Sequence, residues 1–135
     1  MTEKTLSLSD LDLSKPCEQG FEFEYISDST GKASGVFITV LGGHSEKVKD
    51  WVRKSLNRMR QRDAILTKKG KDDVRSVEED EQFSFENAAI RIMSWRGITE
   101  ECNFKNAVLL CSINQEIRDQ VLGNSEELGN FIKSK

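Results

Sequence analysis

Catalysis needs a nucleophile, a general base or a metal held by converging side chains, and this sequence is poor in all three. Its one histidine, His44, stands in LGGHS between glycines and a serine. A lone histidine leaves a zinc set incomplete, since such sites draw on several His and Cys ligands. The same stretch would present backbone amides at a helix N-terminus, where anions bind, but it lacks the Gly-Lys-Ser/Thr ending of a nucleotide-binding loop. His44 therefore reads as an exposed loop residue and LGGHS as a strand-to-helix turn. The acidic run Glu78, Glu79, Asp80 and Glu81 lacks the alternating ligands and the glycine of a calcium loop and reads as a solvated helix face. Cys17, Cys102 and Cys111 are odd in number and widely spaced, with no CxxC pair, so buried or idle thiols are expected rather than a disulfide framework or a zinc site. No catalytic, metal or cofactor site is expected, and an enzyme is the least favoured class.

The elements that hold these residues follow from periodicity. The chain has 135 residues, the size of one domain with one core. Residues 1–19 read as a flexible N-terminal arm in which Leu6, Leu8, Leu11 and Leu13 dock weakly, and 20–135 as one domain. Phe-Glu-Phe-Glu-Tyr from Phe21 alternates with period two, DSTGKASG supplies turn residues, and VFITVL at 36–41 is β-branched and apolar, which predicts a hairpin. After Gly42 and Gly43, Ser45 is placed to cap a helix whose apolar stripe is Val48, Trp51, Val52, Leu56 and Met59. KKGKDD breaks it. A second helical pattern runs from about Asp73 to Trp95, a shorter one covers Lys105 to Cys111, and a final one carries Ile113 to Ile132 with a break near Gly123. The expected fold is mostly α (α+β): an N-terminal β-hairpin followed by about four helices in a single compact domain. No apolar run approaches the length of a membrane span and the N-terminus lacks a signal-peptide pattern, so a cytosolic protein is expected.

Charge is segregated along the chain. The overall balance is 20 Lys and Arg against 23 Asp and Glu, a net of -3. Residues 44–71 carry ten basic and three acidic side chains, a net of +7, whereas 72–86 carry seven acidic and one basic, a net of -6. Two explanations compete. The basic helix 45–71 would grip phosphates with a steep salt dependence, or basic and acidic segments pair within one chain or between neighbouring copies. Base-stacking aromatics interleaved with the lysines are missing apart from Trp51, which sits on the apolar stripe, so nucleic acid is the lesser reading.

One further pattern lies between residues 88 and 131. Ala88, Ala89, Ile92, Trp95, Gly97 and Ile98 precede a short polar link, then Phe104, Asn106, Ala107, Leu109 and Leu110, Ile117, and a terminal Asn130-Phe131. With the upstream hairpin and charged helix, this order resembles the tail assembly chaperones of long-tailed bacteriophages. Lys105 departs from that pattern, where Ser, Thr or an acid is usual, and no Gly or Pro precedes Phe104. The resemblance implies a non-enzymatic protein of the host cytoplasm. It would bind and solubilise the tape measure protein and help recruit the tail tube protein. A hairpin edge could also join neighbouring copies by strand addition, which would favour self-association into open or spiral oligomers. Trp95, Gly97, Ile98, Phe104, Asn106 and Leu110 are its structural positions. Gly97 suits a left-handed helix end, Trp95 anchors the last turn, and Asn103 or Asn106 serves the bend that follows. For partner contact the candidates are the C-terminal stripe Leu128, Phe131 and Ile132, and the Leu6–Leu13 arm, since a chaperone must cover apolar helices reversibly.

Overall fold

A computed structural model describes residues 5–68 and 77–132 of the chain. The hairpin forms as the alternation requires: β1 (Phe21–Ile26) pairs antiparallel with β2 (Ala33–Val40). Register is set by burial. Phe21 faces Val40 and Phe23 faces Ile38, and Ile38 and Val40 are fully buried, so a one-residue slip would turn that whole row to solvent.

A third strand is the main departure from the periodicity reading. The second helix, α3 (Val77–Ala89), stops well before Trp95, and Ile92–Arg96 forms β3, antiparallel to β2 in a sheet of order β1-β2-β3. Ile92 lies opposite Val40 and Trp95 opposite Ile38, with a bulge at Met93 absorbing the odd spacing. Helical spacing joins Ala88, Ala89, Ile92 and Trp95, but the same four residues also fit a helix end followed by a short strand. The open edge of β2 decides, because two strands alone are barely stable. The expected start at Asp73, with Val74, and residues 69–73 of the KKGKDD break lie outside the described residues.

The helices close the other face. α2 (Glu46–Lys68) starts where expected: Ser45 is buried, and its hydroxyl accepts the Val48 amide at 3.4 Å. Its inward line passes through Val48 and Ser55, the only buried residues of the helix, while Leu56 is 43% exposed. The stripe centres one residue away from the expected Leu56 because Val48, Trp51 and Ser55 recur at spacings of three and four. Trp51 stacks on Phe83 of α3 with ring centroids 5.4 Å apart.

α4 (Phe104–Ile113) and α5 (Gln115–Glu126) follow, each capped by an asparagine: Asn103 accepts the Asn106 amide at 2.8 Å, and Asn114 the Ile117 amide at 3.0 Å. α5 runs straight through Gly123. The break comes at Glu127, which is extended, before a 3-10 turn over Leu128–Asn130. Cys17, Ile38, Val40, Ala88, Ala89, Ile92, Ala107, Cys111, Ile117, Val121 and Phe131 make one core. Its membership extends into the arm: α1 (Ser14–Cys17) is docked by Cys17, whose carbonyl accepts the Gly42 amide at 2.8 Å, whereas Leu6, Leu8 and Leu11 stay exposed. The whole is an α+β domain with one core.

Candidate partner-binding surface

The SWRGI corner builds a surface rather than a reaction centre. Gly97 does adopt a left-handed backbone, φ +88°, but at the end of a strand. It also passes so close to the β-hairpin that a methyl group on it would lie 2.2 Å from the Gly35 carbonyl oxygen. Half-buried Trp95 leans on the core and donates its indole N–H to the Glu100 carbonyl at 2.9 Å, which folds the 97–103 link back over the ring. Asn106 finishes the bend, its side-chain amide donating to the Glu101 carbonyl at 2.8 Å while its backbone amide goes to Asn103. The capping role and the bend role are thus filled together, one by each asparagine.

The result is a shallow apolar pocket of about 70 Å³ lined by Trp95, Ile98, Asn106, Leu109, Leu110 and Ile113, with Glu100 at its rim. Its outer wall is open: Leu109 is 55% and Ile113 72% exposed. Periodicity places Ile113 on the apolar side of the final helix. It instead ends α4 one residue before the Asn114 cap, and the chain turns there before α5 begins. Phe104, at the start of α4, is 45% exposed and borders a separate pocket with Cys102 and Met93.

The C-terminal stripe divides. Phe131 lies inside the core, edge-on to Phe21 with centroids 6.3 Å apart, and Leu128 packs against the same cluster. Phe131 is therefore mostly covered, and Ile132 is the outward member. The reason is that the 3-10 turn after Glu127 swings Phe131 under β1. The structure does bring the stripe and the arm together: Leu11, Leu13, Pro16, Phe131 and Ile132 line one groove of about 480 Å³, with Asp10 and Asp12 on its rim. Asp12 accepts two hydrogen bonds from Ser14, which hold its carboxyl below the usual carboxylate range.

His44 is an exposed loop residue. Against its neighbour Gly43 lies a buried arginine that apolar periodicity does not reveal. Arg91 donates to the carbonyl and side chain of Asn87, to the Ser125 hydroxyl at 3.1 Å and to Glu126 at 2.8 Å, and Ser125 in turn donates to the Leu41 carbonyl. Burial lowers the Arg91 pKa and Glu126 opposes that shift. The network locks the turn into α2, and Gly43 has no Cβ because Glu126 and Arg91 occupy that space.

No protein-family model, curated protein or solved structure matches the chain. Its surfaces are therefore read from their own geometry. Among the described residues no group of three His, Cys, Asp or Glu side chains converges in a way that suits a metal, and no helix is long and apolar enough to cross a membrane.

Proposed function

We propose that this chain is a non-enzymatic tail assembly chaperone of the long-tailed phage kind. It acts in the host cytoplasm, holding the tape measure protein soluble and helping recruit tail tube subunits. The observation that carries the reading is the open apolar pocket at the corner. Trp95, Ile98, Asn106 and Leu110, four positions of the resemblance, line it, and Leu109 and Ile113 leave large apolar area in water. A folded chain keeps such area exposed at a cost of about 25 cal/mol per Å², which favours a use for it in binding. An amphipathic helix laid along α4 would cover Leu109 and Ile113, and a shallow pocket lets it go again.

Co-expression with the long helical tail protein of the same genome tests this. The client becomes soluble and co-purifies, and Leu109→Asp with Ile113→Asp abolishes the co-purification while the chain itself stays folded. A client that remains insoluble overturns the reading.

The second reading is a small nucleic-acid-binding regulator using the basic segment 45–71, of which α2 covers Glu46–Lys68 and 69–71 lie outside the described residues. It draws on Arg53 and Arg60, exposed on α2 and without an ion pair among the described residues. Duplex binding whose affinity falls steeply with salt would establish it, and a chaperone should be indifferent to DNA.

A further inference from the structure

We propose that the corner pocket selects helical segments by two features, an aliphatic anchor side chain and a Lys or Arg one turn away from it. The proposal rests on the reading of the corner as the client site, and it names the side chains that site takes.

Size sets the anchor. The pocket measures about 70 Å³. An apolar cavity that holds benzene measures about 150 Å³. Half that room accepts the end of a Leu, Ile or Met side chain and turns away the ring of a Phe or Trp. The inner wall is held in place. Trp95 and Leu110 both pack against the core, and the Trp95 indole N–H donates to the Glu100 carbonyl at 2.9 Å. Leu109 and Ile113, 55% and 72% exposed, form the open side.

Charge sets the flank. Glu100 is the one charged residue that lines the pocket. The bond from Trp95 holds its backbone at the mouth. Its carboxylate has no ion pair among the described residues. Asn106 turns its side-chain nitrogen to the Glu101 carbonyl, which leaves its side-chain oxygen as a second acceptor. An ammonium or guanidinium group brings donors and positive charge to such a mouth together. Lys105 does not fill that place: it stands roughly 100° around α4 from Asn106, beyond Leu109. On a bound helix, residues three and four apart share a face, so an anchor in the pocket sets a cation at i+3 or i+4 beside Glu100. An ordinary solvated carboxylate would leave the site indifferent to the sign of that flanking charge, and the difference is measurable.

Three synthetic alanine-based helices of about 20 residues, long enough to be helical alone, test this. The first carries Leu anchors with flanking Lys, the second has Glu in place of Lys, and the third has Phe in place of Leu. Affinity for the full chain is read by anisotropy of the labelled helix. Its place is read by Trp95 emission in the Trp51→Phe chain, where Trp95 is the one remaining tryptophan. At about 0.01 M salt the Leu–Lys helix should bind about fivefold more tightly than the Leu–Glu helix, a preference lost at about 1 M salt, where the screening length falls to about 3 Å. It should exceed the Phe–Lys helix about tenfold at either salt. Glu100→Lys keeps the carbonyl that accepts from Trp95 and should reverse the charge preference. Leu109→Ala should narrow the preference for Leu over Phe. A Leu–Lys helix that does not bind, binding that leaves Trp95 emission unmoved, equal or tighter binding of the Glu or Phe helix, or variants with wild-type preferences would each overturn the proposal. The co-expression test scores the client and this one scores the pocket, so the failure of either is seen separately.

Discussion

The Cα of Gly97 lies against the backbone of Gly35, so close that an added methyl would sit 2.2 Å from the Gly35 carbonyl oxygen. Both glycines have positive φ, +88° and +78°. The contact seats the end of β3 on the hairpin and sends the chain toward the 97–103 link. Gly97→Ala combines a left-handed backbone with a clash against main chain that has no rotamer to escape into. A loss of about 2–4 kcal/mol is expected by urea unfolding. Gly123 is the control: it lies inside α5 in open space, with no atom within 4 Å of where an added methyl would stand, so Gly123→Ala should stabilise by about 0.5–1 kcal/mol.

Phe131 and its neighbour Ile132 separate stability from surface. Truncating a buried Phe costs about 3–5 kcal/mol, and an aspartate adds an unpaired buried carboxylate. Phe131→Asp should therefore melt or fail to accumulate. Ile132→Asp, at a position 42% exposed, should change thermal stability little. Equal damage from both would place the 3-10 turn elsewhere.

Glu116 clasps the hairpin loop. Its carboxylate accepts from the Tyr25 hydroxyl at 2.7 Å, the Ser27 hydroxyl at 2.9 Å and the Asp28 amide at 3.1 Å. These bonds, Tyr25 first, lower its pKa from 4.5. A depressed carboxylate contributes stability that is present above the unfolded pKa and is lost as pH falls through the lower folded value. The amide resonances of Asp28 and Ser29 should hold steady above pH 4.5 and shift below it, and Glu116→Gln should flatten that transition.

The thiols should react in an order set by burial. Cys17 and Cys111 are fully buried, and burial pushes the Cys111 thiol up to about 12, whereas Cys102 is half-buried. Because the thiolate is the nucleophile, alkylation of the folded chain at about pH 8 should label Cys102 alone, and denaturant should release the other two. Rapid labelling of Cys111 without denaturant would contradict its place in the core.

The asparagine caps give a local measure. Asn103→Ala and Asn114→Ala each remove the acceptor of a first-turn amide and should cost about 1 kcal/mol. Asn106→Ala removes only the bond to the Glu101 carbonyl and should loosen the link, seen as faster amide exchange across 97–103.

Local chemistry made much of this legible in the chain. The Phe-Glu-Phe-Glu-Tyr alternation and the Ser45 and Asn103 caps depend on groups within a few residues of one another. The candidate site was legible only in part. Trp95, Ile98, Asn106 and Leu110 stand out in the sequence, but Ile113 joins the apolar pattern of the final helix and proves outward, since α4 ends at Asn114 and the phase restarts there.

What the sequence by itself determined is the identity of the strands and helices whose signals are repeated or capped, and the segregation of charge between α2 and α3. Only the tertiary structure decided that Ile92–Arg96 is a strand, that Phe131 is core and Ile132 surface, and that Arg91 can be buried. Each of those depends on a partner distant in sequence: the open edge of β2, the ring of Phe21, and Ser125 with Glu126. Local free energies there nearly balance, so the long-range contact decides the outcome.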